Sequence, residues 1–363
     1  MAGPRTVRTF MKVSIVTGIP WLDPAASQVQ AYREAVEQVR LADRLGFDCA
    51  WFTEHHFATH GINPSVLSFA AYVAGATSRI GIGTAVVVLP LYHPVRLAEE
   101  IAQVDILSEG RLELGIGSGY RFDEFRGLGV VHSESRAMFL ESLEVLLKAW
   151  RGEPFSNRGK YFEVPEGVSV RPMPLQKPHP RLWAPAISPA TIQWVIDAGA
   201  HLMTATTFSS ISDLLRMRGD LDRALARSGR DARDVEIYLH VPIHVTDRSY
   251  RGLEADLSET FGGFARAAGM GGTIYQQSPA GGAQRPIGGS GFDFANYCEN
   301  HAVMGSPAFC IDKLAQWWQE LRFTHLTGLF NFGLPNRVVL ANMERFAAEV
   351  MPALRRLGEN GIN

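Results

Sequence analysis

The chain has 363 residues, 46% of them hydrophobic, and carries 35 Lys+Arg against 37 Asp+Glu for a formal charge of −2. That balance gives no electrostatic footprint for nucleic acid, and no Lys/Arg run suggests a membrane-surface arm. The length admits two ordinary domains or one α/β barrel with insertions. No apolar stretch reaches the roughly 18–20 residues of a membrane span, because AVVVLPLYHPV is broken by Pro90, His93 and Pro94. Residues 1–10 lack an apolar secretory core and Met11-Lys12 reads like an alternative start, so the expected location is cytoplasmic. Cys49, Cys298 and Cys310 show no CxxC spacing and are read as reduced, structural thiols.

In chain order, KVSIVTG (12–18) predicts a first strand, and 27–45 carries Tyr32, Val36, Val39 and Ala42 at helical spacing. FDCAWFTE (47–54) predicts the second strand, followed by a helix opening near Ser65. RIGIGTAVVVL (79–89) predicts the third, then a helix over 94–108 and RLELGIG (111–117) as the fourth. Phe139, Leu143, Leu146, Leu147 and Trp150 stripe the next helix, whereas 151–180 is rich in Pro and Gly and reads as an insertion around an extended YFEVP. RLWAPAI (181–187), a helix from Pro189, HLMTAT (201–206), a helix over 211–227 and VEIYLHVPIHV (235–245) follow. The Gly-rich 269–291 suits a mobile surface loop; beyond it come a helix over 307–320, a strand around HLTGLFNF (325–332) and a last helix.

About eight β/α units predict the α/β class and a single (β/α)8 TIM barrel over 12–352, with insertions around 151–180 and 269–291. Residues 1–11 and 353–363 are left as tails. The lack of GxGxxG after the first strand weighs against an open doubly wound sheet. Function in such a barrel sits at the C-terminal strand ends.

The second strand ends in Glu54-His55-His56-Phe57. Adjacent side chains on extended backbone point to opposite sides, so one imidazole faces the pocket and the two cannot readily share a metal. The third strand passes through Gly83-Thr84-Ala85-Val86, small residues that suit a flat ring against backbone or plain barrel core. The fourth runs into Gly117-Ser118-Gly119-Tyr120-Arg121, where backbone N–H groups, hydroxyls and a guanidinium could meet an anion, or form only a tight turn. After the fifth, Ser188-Pro189-Ala190-Thr191 reads as N-cap, Pro at N1 and a second hydroxyl, a phosphate site at a helix N-terminus or capping alone. His240 and His244 share a face on the seventh strand, but the first strand has no HxH, so metal is the minority reading.

Five blocks, FTEHHF, SRIGIGTAVVVLPLYHPVRLAEE, DILSEGRLELGIGSGY, RPMPLQKPHPRLWAPAISPATIQW and FNFGLPNRVVLANMERFAAEVMPAL, occur in the order seen in the luciferase-like flavin monooxygenases, the group of bacterial luciferase. The chain resembles that family over about 12–352. The resemblance implies a barrel that takes FMN as FMNH2 from a separate NAD(P)H:flavin reductase and adds O2 to give a flavin 4a-hydroperoxide. It implies oxygenation of a small organic substrate such as an aldehyde or ketone. It places His55 as the catalytic histidine with Glu54 beside it, and Ala85-Val86 at a non-proline cis peptide under the ring. Gly117, Ser118, Gly119 and Tyr120 fall on the flavin-binding turn, and Ser188 and Thr191 on phosphate-binding hydroxyls. Ser118 stands where bacterial luciferase has an Arg, and Gly117 where it has a Cys, so phosphate affinity depends on whether Arg121 compensates. A homodimer is implied, and the apolar Val66, Leu67, Phe69, Ala70 and Val73 suit its interface. The alternatives are a deazaflavin-dependent oxidoreductase of the same superfamily, against which EHHF argues, and a non-catalytic flavin-binding relative, against which His55 argues.

Overall fold

The computed structural model describes residues 11–268 and 293–359. Its strands are β1 (Lys12–Thr17), β2 (Cys49–Phe52), β3 (Gly81–Thr84), β4 (Val87–Val88), β5 (Leu112–Gly117), β6 (Phe155–Arg158), β7 (Glu163–Val168), β8 (Arg181–Pro185), β9 (His201–Ala205), β10 (Ile237–Val245), β11 (Val303–Gly305) and β12 (His325–Leu329). The helices are α1 (Gln28–Leu45), α2 (Val66–Ala76), α3 (Pro94–Leu107), α4 (Phe122–Gly127), α5 (Ser135–Ala149), α6 (Pro189–Asp197), α7 (Ile211–Ser228), α8 (Glu254–Ala267), α9 (Phe294–Asn300), α10 (Pro307–Leu321), α11 (Asn336–Arg345) and α12 (Met351–Glu359).

Strands β1, β2, β3, β5, β8, β9, β10 and β12 pair in parallel in that order, and β12 returns to β1 through Lys12↔His325 and Ile15↔Gly328. The sheet is a closed TIM barrel. Its strands are apolar on both faces, as a parallel sheet covered outside by helices and filled inside by side chains requires. Val13 and Ile15 pack outward into the helical layer, while Val16, Trp51, Trp183 and Tyr238 belong to the inner cluster. The Trp51 ring lies 5.4 Å from Trp183 and 5.0 Å from Tyr238, so aromatic bulk plugs the middle of the barrel. Helix ends follow local chemistry: Ser27 caps α1 by accepting from Gln30 N, and Ser210 with Asp213 forms a capping box on α7.

The N-terminal ends of the strands hold a polar network. The Arg181 guanidinium donates to Glu113 at 3.3 Å and to Glu236, while Trp183 Nε1 donates to Glu113 at 2.6 Å. His325 Nε2 lies 3.0 Å from Glu236. Burial opposes ionisation of Glu236, yet the His325 hydrogen bond and the Lys12 and Arg181 charges hold it well below the usual carboxylate range.

Several expectations need correction. The third strand is not continuous over 79–89: β3 stops at Thr84 and only Val87–Val88 resumes pairing, against β5, while the Ala85–Val86 peptide between them is cis, as the family resemblance implies. The insertion at 151–180 contains an antiparallel hairpin, β6 with β7. Helices α8 and α9 occupy ground for which no helix was expected. The expected tail from 353 is largely α12, whose Leu354 is buried because the amphipathic period continues past Met351. The Gly-rich segment 269–291 lies outside the described residues. Val66, Leu67, Phe69, Ala70 and Val73 are all buried within the single chain, so they give no argument for a dimer. Cys49, Cys298 and Cys310 are free and buried. Among the described residues no helix is long and apolar enough to cross a membrane.

Candidate active site

The C-terminal ends of β2, β3 and β5 meet at one mouth of the barrel. Glu54 and His55 follow β2, and their side chains diverge as extended backbone dictates. Glu54 is buried and turns beneath β4: its Oε2 accepts the Val88 N–H at 3.3 Å, and its Oε1 meets His56 Nε2 at 3.2 Å. Burial raises the Glu54 carboxyl above its ordinary range, and the Glu54 hydrogen bond raises the His56 imidazole. Glu54 and His56 thus brace the backbone that carries Ala85 and Val86.

His55 goes the other way. Its Nδ1 lies 3.0 Å from Glu124 Oε1 on α4, its ring centroid 4.3 Å from that of His60, and 6.3 Å from that of Tyr120. His60 is enclosed, and neither ring nitrogen completes a hydrogen bond among the described residues. Burial first, with His55 and Arg121 beside it, lowers His60 to about 2, so it is a neutral imidazole. Tyr120 is pushed up to about 12 by burial and keeps its proton.

The turn after β5 faces Ala85-Val86. A Cβ on Gly117 would stand 2.6 Å from Val86 Cγ2, so glycine is what lets β5 approach this segment. Ser118, Gly119 and Tyr120 are half-buried around the same opening, as are Ala85 and Val86. On the adjacent β8, Ser188 caps α6: Oγ accepts from Thr191 N at 3.3 Å and shares a hydrogen bond with Thr191 Oγ1 at 2.9 Å. Of the two hydroxyl protons, one lies in that bond and the other remains to donate.

A family model described as luciferase-like monooxygenase matches residues 11–325. The chain belongs to the luciferase-like monooxygenase family. It is accordingly an oxidoreductase of the flavin-dependent monooxygenase class. It is 40% identical over 214 residues to an uncharacterized protein of Sinorhizobium fredii, a match covering 59% of this chain and 60% of that one. It is 26% identical over 347 residues to the oxygenase component of the flavin-dependent trigonelline monooxygenase of Acinetobacter baylyi, covering 94% and 95%. Three solved structures share the fold. They are the monooxygenase RslO1 of Streptomyces bottropensis (TM-score 0.80, 24% identity, 94% and 99% covered) and the oxygenating constituent of 3,6-diketocamphane monooxygenase of Pseudomonas putida in complex with FMN (0.74, 20%, 94% and 98%). The third is an F420-dependent secondary alcohol dehydrogenase (0.71, 17%, 95% and 99%).

In this luciferase-like barrel, two side chains at the mouth went unnoticed in the sequence. Glu124 lies in a helix too short for a periodic pattern, and His60 sits in a loop. Arg121 also departs from its expected use at a phosphate: Nη1 donates to Ala268 O at 3.2 Å and Nε lies 3.5 Å from Glu124 Oε1. Phe57, which follows His56, is 71% exposed and lies over Gly127 of α4.

Proposed function

We propose that this chain is the oxygenase of a two-component system, taking FMNH2 from a separate NAD(P)H:flavin reductase and using O2 to oxygenate a small organic substrate. The observation that carries this reading is the close approach of Gly117 to Val86, which presents a flat, side-chain-poor wall beside His55. Such a wall suits an isoalloxazine lying against Ala85 and Val86. Gly117, Ser118, Gly119 and Tyr120 would border the ring and ribityl chain. Ser188, Thr191 and the first N–H groups of α6 would hold the phosphate. Reduced flavin, when bound, supplies the electrons that activate O2. His55 would exchange a proton with the reacting groups, and the Glu54–His56 pair would fix the wall from behind. Tyr120, Phe208, His60 and Phe264 ring the opening with aromatic surface that limits water. The exposed Tyr72, Ile106 and Leu107 on α2 and α3 support a homodimer, and the three free thiols support a cytoplasmic setting.

The test is anaerobic titration with FMNH2 and, separately, with reduced F420, followed by rapid mixing with O2. Tight FMNH2 binding and reoxidation through an absorbing intermediate are expected. Preference for F420 with no accelerated reaction with O2 would overturn the proposal.

A further inference from the structure

We propose that Glu124 is the positioning residue for His55: it holds the ring as the Nδ1–H tautomer and leaves Nε2 as the bare nitrogen. This rests on the reading of His55 as the group that meets the reacting atoms. Three nitrogens converge on one oxygen, Glu124 Oε1: His55 Nδ1 at 3.0 Å, the His56 backbone N–H at 3.2 Å and Arg121 Nε at 3.5 Å. A carboxylate oxygen in that company accepts, so Nδ1 carries the hydrogen, and the bond made by one ring nitrogen sets the state of the other. His55 Nε2 makes no hydrogen bond among the described residues, and the side chain remains 11% exposed.

The carboxylate is itself fixed. Its side chain is 2% exposed, the His56 N–H ties it to the segment after β2, and Arg121 ties it to Ala268 at the end of α8. The other groups facing His55 offer no rival partner for Nδ1. His60 is neutral and lies against the ring, and Tyr120 meets it edge-on. On the remaining side Gly61 has no side chain to turn the ring, its ideal Cβ position lying 3.1 Å from His55 Cδ2. With this arrangement a proton leaves an X–H group for the Nε2 lone pair, the imidazolium formed keeps its Nδ1–H on Glu124, and the proton returns from Nε2 to product or water. Glu124 changes neither charge nor partner through the cycle.

The tautomer can be read directly from the ring nitrogen shifts of the full-length chain labelled with 15N-histidine, using His55→Ala to assign the signals. In its neutral form the wild-type ring is expected to show a protonated Nδ1 and a bare Nε2. Glu124→Leu leaves Nδ1 without an acceptor and is expected to shift the ring toward the Nε2–H tautomer, whereas Glu124→Asp, which keeps the carboxylate, should retain the wild-type pattern. By analogy with other residues that orient a functional imidazole, Glu124→Leu should lower product formed per flavin oxidised by about 10–100-fold. FMNH2 affinity should remain within about twofold, because the phosphate contacts lie on other elements. A wild-type His55 protonated at Nε2, or a folded Glu124→Leu protein with unchanged shifts, would overturn the proposal; should Glu124→Leu fail to fold, the wild-type shifts alone decide. If the tautomer responds as expected while His55→Ala keeps full coupling, Glu124 stands as the residue that orients His55 and the catalytic reading of His55 fails.

Discussion

The proposed phosphate site gives Ser188 a second task besides capping, and a pair of ligands separates the two. Its Oγ caps α6 by accepting the Thr191 N–H at 3.3 Å, and together with Thr191 Oγ1 it offers one free hydroxyl proton to a phosphate. Replacing Ser188 and Thr191 by Ala removes the cap, at a cost of about 1 kcal/mol to folding stability. It also removes at least one hydrogen bond to a charged group, a loss of about 1.5–3 kcal/mol in binding. That loss corresponds to about tenfold to 150-fold in the FMNH2 dissociation constant. Reduced riboflavin has no phosphate and should bind wild type and variant alike, so the ratio of the two affinities isolates the phosphate contact from any general loosening of α6. Ser188→Asp sharpens the contrast: Asp is an equally good cap, but its charge opposes a phosphate. It should keep stability while weakening FMNH2 more than Ala does. Affinities would be measured by anaerobic fluorescence titration and stability by urea unfolding. An unchanged FMNH2-to-riboflavin ratio in both variants would show that these hydroxyls only cap a helix.

His55→Ala should lower coupled turnover by about 10²–10⁴-fold with FMNH2 binding nearly intact and peroxide release rising, whereas His56→Ala should act mainly on stability; product and peroxide yields per flavin check this, and the reverse pattern would exchange the two roles. Acid should destabilise the fold. His60, lowered to about 2 by burial, stays neutral when the unfolded histidine protonates near 6.5, so stability is full above that pH and falls as pH drops toward 2. Replacing His60 with Leu should remove about 2 kcal/mol of the loss between pH 7.5 and pH 5, measured by urea unfolding at both, and an unchanged loss would mean that His60 is charged in the folded state. Arg181→Ala leaves Glu113 and Glu236 without their shared cation at the end of the barrel opposite the site; with Arg181 about one-third exposed, it should cost about 2–4 kcal/mol of stability and leave flavin affinity unchanged. Loss of flavin binding without loss of stability would contradict that separation.

The sequence by itself determined the barrel, because parallel strands buried on both faces leave apolar runs, and helices covering them leave 3.6-residue stripes; both are local signals that survive in one dimension. It also located His55, Gly117 and Ser188, since each lies at a strand end that such runs make visible. Composition alone could not show that β3 breaks at Ala85–Val86, because GTAVVV has that of an uninterrupted strand; only the family resemblance placed a cis peptide there. Nor could it show that Val66, Leu67, Phe69, Ala70 and Val73 are consumed by the chain's own core: how much apolar surface a helix covers depends on its neighbours. Only the tertiary structure placed Glu124, 69 residues beyond His55, on its Nδ1, and turned Arg121 toward Ala268 rather than toward the hydroxyls of α6. Those contacts join residues from a six-residue helix, a loop and the end of α8, none with a periodic pattern. Hydrogen bonds of this kind follow from three-dimensional proximity, which one-dimensional spacing does not encode.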